Sequence, residues 1–336
     1  MKKSIGIAVS VLIAFAFIIG CGGKKGNVRD LKLSVTTSET SSWYYGAAEF
    51  KRMVEERTNG RFKISIYPNE QLASGDQTKT LEMLYQGINE LDIHSAMIHN
   101  NVEPKLTACF MPWIFTKGYE SVDQYVFNNG TGGQKIKELI AAKGAVPLAL
   151  GENGFRQITN NKLAIHKPSD FKGMKFRVPS VTILVDLYKM LGADPVSMSF
   201  SEVFTALQQG TIDGQENPLG IISSSKLYEV QKFLTIANYS YDPIVLSASK
   251  KFWDSLSAED QKIFQDAATE AMKAQVIETR KQDKELLQGL QDKGIKANSL
   301  TTAEIAAFQT QLAPLYKKYI DQYGAELFEA FGYKAK

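Results

Sequence analysis

Hydrophobic and polar positions recur along this chain with two different periods, and each change of period marks an element. Residues 31–35 alternate apolar side chains with lysine and serine, which predicts a first strand, and a hydroxyl-rich loop over 36–42 leads to Trp43. Over 44–58 the apolar residues Ala47, Phe50, Met53 and Val54 fall at helical spacing, with Asn59-Gly60 as the stop. A second strand follows over 62–67, a second helix over 75–86 closed by Gly87, and a third strand over 91–97. This succession is the pattern of a doubly wound α/β unit, which binds small ligands at the carboxyl ends of its strands. Those ends carry Thr36, Thr37 and Trp43, then Glu70 and Gln71, then Met97 and His99.

Beyond an apolar loop, Pro112-Trp113-Ile114-Phe115, helical patterns cover 119–127 and 135–142, and a strand pattern covers 145–150. Gly151-Glu152-Asn153-Gly154 then reads as a crossover hinge. A second unit repeats the alternation, with strands over 175–178, 211–215 and 232–237 and helices over 182–191 and 202–209. Residues 244–249 form a further strand able to return to the first unit. From Ser257 a helical pattern continues to Gly294, interrupted only by Gly289. About 35 residues at 1.5 Å each give a helix of roughly 50 Å, longer than one small lobe, so it reads as a strut shared by two. A last helical segment begins at Thr301, and Pro314 predicts a kink or break in it. The expected division is 28–153 with 243–282 as the first lobe, and 154–242 with 283–336 as the second.

The first residues have a different character. Lys2 and Lys3 precede an apolar run over 5–19 and then Gly20-Cys21, which is a secretory signal too short for the ~20 residues of a spanning helix. Ile18-Ile19-Gly20-Cys21 resembles a bacterial lipobox, with Cys21 as the residue that receives the lipid after 1–20 are removed and 21–27 as a flexible tether. Cleavage removes two lysines and no acid, so the net charge falls from +3 to +1 and leaves no electrostatic footprint for nucleic acid. Cys109 is the only other cysteine, so there is no disulfide framework.

Two short segments carry more chemistry than a fold requires. In Lys175-Phe176-Arg177-Val178-Pro179 a guanidinium interrupts an apolar strand, one of only seven arginines in the chain. In Asp213-Gly214-Gln215-Glu216-Asn217-Pro218 a strand ends in a crowd of polar side chains. The alternation of Lys175 and Arg177 also fits a solvent-facing row, whereas a buried arginine requires an anion from the protein or from a ligand. Arg156, at the presumed hinge, admits either reading. A surface hydrolase fits poorly: there is no Gly-x-Ser-x-Gly elbow, and His94, His99 and His166 lack metal-ligand spacing. No catalytic residue, metal or cofactor is expected.

These segments, together with Phe155-Arg156-Gln157-Ile158-Thr159-Asn160, Phe204-Thr205-Ala206-Leu207-Gln208-Gln209-Gly210 and Tyr228-Glu229-Val230-Gln231-Lys232, occur in an order that resembles a known family. The chain is similar to the substrate-binding subunits of tripartite ATP-independent periplasmic (TRAP) transporters, of the DctP-like family. The resemblance implies a two-lobed periplasmic-binding-protein fold, each lobe a helix-covered mixed sheet. It also implies an extracytoplasmic protein that delivers a small carboxylate to membrane permease subunits without chemical conversion. By the same resemblance Arg177 pairs with the ligand carboxylate, Asn217 helps hold it, Arg156 is a second contact, and Phe200 is the aromatic after a Pro-x-x-Met run. The chain departs from the family pattern at Ala73, where glycine is common, and at Trp113, where phenylalanine is common. Discrimination among acids is expected from Trp43, Glu70, His99, Phe200, Glu216 and Tyr239. An extracytoplasmic sensing subunit would share the fold and the clamp and differ only in its partner.

Overall fold

The computed structural model describes residues 28–334, so the expected signal peptide, Cys21 and the tether lie outside the described residues. Eleven strands form among the described residues. In chain order they begin with β1 Arg29–Val35, β2 Phe62–Tyr67, β3 Leu91–Ser95, β4 Ala145–Phe155, β5 Gln157–Asn160 and β6 Lys175–Val178. β7 Asp194–Ser197, β8 Gly214–Asn217, β9 Phe233–Ile236, β10 Tyr241–Ser249 and β11 Lys296–Ser299 complete the set. They make two mixed sheets, ordered β2-β1-β3-β10-β4 and β11-β9-β5-β8-β6-β7. Each sheet is packed by helices, giving the two-lobed α/β architecture that the sequence predicts.

In the first lobe β1 runs parallel to β2 and β3, with Leu31, Leu33 and Val35 buried. The helix Ser42–Arg57 starts where Ser41 Oγ accepts the Tyr44 N–H at 3.2 Å, and it buries Ala47, Phe50 and Val54. β10 inserts antiparallel between β3 and β4, so this late segment does return to the first sheet.

The crossing between lobes is more ordered than a glycine-rich hinge suggests. β4 continues for 11 residues, straight through Gly151-Glu152-Asn153-Gly154, and after Arg156 the chain enters the second sheet as β5. β10 makes the return passage beside it, with Tyr241 opposite Phe155 and the Arg156 N–H donating to Ser240 O at 2.8 Å. The two antiparallel passages therefore meet at Arg156. A Cβ at Gly151 would press on Met272 Cε and Gln275 Oε1, so the long helix packs close to β4 here and a larger residue would make those side chains shift. One turn on, Gln275 ties that helix to β4, donating to Glu152 O at 2.7 Å and accepting from Glu152 N–H at 2.9 Å.

That long helix is Ala258–Asp292, 35 residues, and it passes through Gly289 without a break. Ser257 Oγ caps it by accepting the Asp260 N–H at 3.1 Å. Phe264 packs edge-on against Phe50, Phe62 and Phe252 at 5.9, 5.2 and 5.4 Å, a burial contributing about 1.5–3 kcal/mol. At its far end Leu290 joins the core of Val203, Leu219 and Leu234 in the second lobe, so the helix is a strut along both.

Three local expectations are corrected and two strands are added. The helix Thr302–Tyr323 continues through Pro314, because Phe308, Leu312, Leu315 and Tyr319 hold its buried face on either side of the missing donor. The strand expected over 211–215 begins only at Gly214, since Thr211 N–H closes the preceding helix on Ala206 O. β7 and β11, both edge strands, were not foreseen. The C-terminal segment assigned to the second lobe ends on the first, where Thr131 Oγ donates to Ala330 O at 2.7 Å and Phe331 packs over Gly132.

Candidate functional site

Arg177 projects from β6, paired between β7 and β8, and is 1% exposed. Its Nε and Nη2 both donate to Met198 O, at 3.2 and 2.9 Å. Three of its five N–H groups remain, including both on Nη1, and no described carboxylate forms an ion pair with it. Burial pulls its guanidinium down to about 9, opposed by the charge of Glu216. The Phe200 ring lies 5.8 Å from Cζ and shields one side. A buried cation in this state is matched only when an anion enters.

Arg156 is the opposite case. Its Nε and Nη2 grip both oxygens of Glu216, the latter at 2.8 Å, Nη1 donates to Asp242 Oδ2 at 2.7 Å, and Nη2 reaches Asn217 Oδ1 at 3.1 Å. Burial alone would lower its pKa, but Glu216 and then Asp242 raise it. Arg156 is thus a structural tie across the crossing that keeps only one N–H for a ligand.

Both arginines line a small cavity between the lobes. The second lobe supplies Arg177, Pro179, Phe200, Asn217 and Ile221, and the first supplies Thr36, Thr37, Trp43, Gln77, Ser95, Met97 and Ile98. Arg156, Asn153 and Asp242 form its floor where the strands cross. Trp43 Nε1 donates to Asn153 Oδ1 at 3.1 Å, Asn153 Nδ2 donates to Asp242 Oδ2 at 2.7 Å, and Ser95 Oγ donates to Asp242 Oδ1. Asn217 Nδ2 donates to Gln215 Oε1 at 2.6 Å, which leaves its second hydrogen for a ligand. The lobes touch across the mouth, where Phe200 N–H donates to Gln77 Oε1 at 3.3 Å and Ser201 Oγ to Gly75 O at 3.0 Å. These contacts shut the mouth of the cleft in the described structure.

Of the residues singled out in the sequence, Arg177, Asn217, Arg156, Phe200 and Trp43 face this cavity. Four others stand behind its walls. Glu216 is fully buried against Arg156, and Tyr239 donates its hydroxyl to Glu216 Oε2 at 2.6 Å. Glu70, in a left-handed conformation with φ 55°, accepts from Thr36 Oγ1 at 2.6 Å and Ser34 Oγ at 3.1 Å. It faces His94 Nε2 at 3.0 Å, while Asp92 Oδ2 lies 2.9 Å from His94 Nδ1, so the imidazole stands between two carboxylates. Burial alone would depress His94, but Glu70 and Asp92 push it up to about 10. His99 is buried beside it, 3.1 Å from the Tyr85 hydroxyl, and burial together with the His94 charge lowers it to about 3. None of these four lines the cavity around Arg177, although Glu70 lines an adjoining pocket with Thr36, Gln77 and Phe200. Asn153, Asp242, Ser95 and Gln77 were missed, because each is an ordinary polar residue until the strand crossing brings it to the cavity.

The family model for DctP, bacterial extracellular solute-binding protein family 7, matches residues 33–322. The chain belongs to this family. A solute-binding protein of Verminephrobacter eiseniae is 33% identical over 299 residues, covering 89% of this chain and 87% of the relative. A TRAP periplasmic solute-binding protein of Polaromonas, solved with D-erythronate, aligns with TM-score 0.85 at 34% identity, over 92% of this chain and 100% of that one. One from Shewanella oneidensis, solved with succinate, aligns with TM-score 0.85 at 31% identity, over 90% and 98%. This family 7 protein is therefore a TRAP-type solute-binding protein, and its relatives bind solutes instead of converting them.

Proposed function

We propose that this protein captures an organic acid between its lobes, with the ligand carboxylate on Arg177 and Asn217, and delivers it to TRAP membrane permease subunits. In this reading it is held at the extracytoplasmic face of a membrane by a lipid on Cys21. The observation that carries the proposal is Arg177, a fully buried guanidinium that lines a cavity, keeps three N–H groups open and makes no direct ion pair with any described carboxylate. A planar fork meets a carboxylate through two parallel bonds, each charge-assisted and worth about 1.5–3 kcal/mol. Contacts from both lobes to one ligand exist only when the cleft is shut, so binding shifts the population toward closure. The closed shape is what permease subunits then distinguish from the empty one.

Relatives solved with D-erythronate and succinate support a carboxylate as the recognised group. Native mass spectrometry of freshly purified protein, followed by release and mass analysis of the ligand, tests the reading. The expected result is a small carboxylic acid recovered unaltered after prolonged incubation. Recovery of a converted product, or binding of uncharged solutes in preference to every acid offered, would overturn it.

A further inference from the structure

The cavity carries a charge count that separates acids with one carboxylate from acids with two. Only two cations line it, Arg156 and Arg177, and Arg156 is already neutralised by Glu216 and Asp242. Asp242 is itself part of the cavity wall. Its Oδ2 accepts from Asn153 and Arg156 and its Oδ1 from Ser95, which in turn accepts the Met97 N–H at 3.0 Å. Burial pushes the Asp242 carboxyl up, but the Arg156 charge and the donors Ser95 and Asn153 pull it back and hold the anion; of about four acceptor positions one on Oδ1 remains open. Behind the Thr36 side stand Glu70 and Asp92 with a single imidazolium between them, so that wall offers no unmatched positive charge either.

Resting on the reading that Arg177 holds a carboxylate, we infer that the ligand is a hydroxylated monocarboxylate, with a hydroxyl donating to Asp242. One carboxylate satisfies Arg177. A second would enter a closed, desolvated cleft opposite Asp242 with no cation to receive it. Like charges a few ångströms apart in such a site repel strongly enough to cost roughly 100-fold in affinity. A hydroxyl at the same place supplies the donor that the open acceptor lacks, and the remaining Nδ2 hydrogens of Asn153 and Asn217 suit its oxygen. Family membership does not decide this, since solved relatives hold D-erythronate in one case and succinate in another.

Calorimetric titration of the native protein with matched pairs tests it: glycerate against tartronate, erythronate against meso-tartrate, and gluconate against glucarate, with butyrate and succinate as unhydroxylated controls. Each pair keeps the hydroxylated chain and changes one end to a second carboxylate. The expected result is that the tightest ligand is a hydroxylated monocarboxylate and that its diacid partner binds roughly 100-fold more weakly. Asp242→Asn is expected to narrow that gap to tenfold or less; should the variant fail to fold, the native pairs decide. A diacid binding as tightly as its partner would overturn the inference while leaving the carboxylate reading intact, as would butyrate or succinate binding tightest. Absence of binding by every acid would overturn both.

Discussion

Two buried arginines with opposite surroundings explain most of this site. Arg156 satisfies Glu216 and Asp242 across the strand crossing, whereas Arg177 has only the carbonyl of Met198. Removing the two should therefore have different consequences. Arg156→Ala leaves two buried carboxylates unpaired and is expected to destabilise the fold by about 3–5 kcal/mol, read from denaturant unfolding. An unchanged midpoint would contradict its role as a structural tie. Arg177 was legible in the sequence because a guanidinium between Phe176 and Val178 is out of place in a strand. Glu216 was equally conspicuous, but its partner Arg156 lies 60 residues away in the chain, so a tie and a ligand contact looked alike.

At the scale of elements, β3 shows how a wall is charged without touching the ligand. Asp92 and His94 point to one side of it, and His94 bridges to Glu70 after β2. The imidazole titrates near 6.5 when exposed and near 10 here, so the native state keeps a proton that the unfolded chain releases between those values. The resulting stabilisation is complete below about pH 6.5 and is lost as pH rises through about 10, an effect on the order of a few kcal/mol. Denaturant midpoints measured from pH 6 to 10 should fall across this window, and His94→Gln should flatten the fall; an unaltered slope in the variant would refute the bridge. The elements that the sequence displayed best are those with one buried face, such as β1 and the helix Ser42–Arg57. β7 and β11 lie at opposite edges of their sheet and are only partly buried, so no alternation announces them. β8 is fully buried yet wholly polar beyond Gly214, because its side chains are satisfied by Arg156, Thr159 and one another.

For the whole molecule the consequence is a closed cleft held by few direct contacts. Ser201 Oγ reaches Gly75 O across the mouth without lining the cavity around Arg177, so Ser201→Ala should weaken acid binding through closure. One neutral hydrogen bond is worth about 0.5–1.5 kcal/mol, so the expected loss is roughly 2- to 10-fold, measured by calorimetry. No loss would mean that this contact does not distinguish closed from open. The cavity floor could not be read from the sequence, since Asn153 and Asp242 lie 89 residues apart and meet only because β4 and β10 pair side by side. The strut and the lobes were readable, because their periods are long and uninterrupted. The most direct test of the central claim is calorimetry of Arg177→Lys with the acid recovered from the native protein. A lysine keeps the charge but loses the fork, so affinity should fall about 100-fold while the unliganded variant still unfolds cooperatively. Undiminished affinity in a folded Arg177→Lys protein would contradict the assignment of Arg177 as the carboxylate clamp.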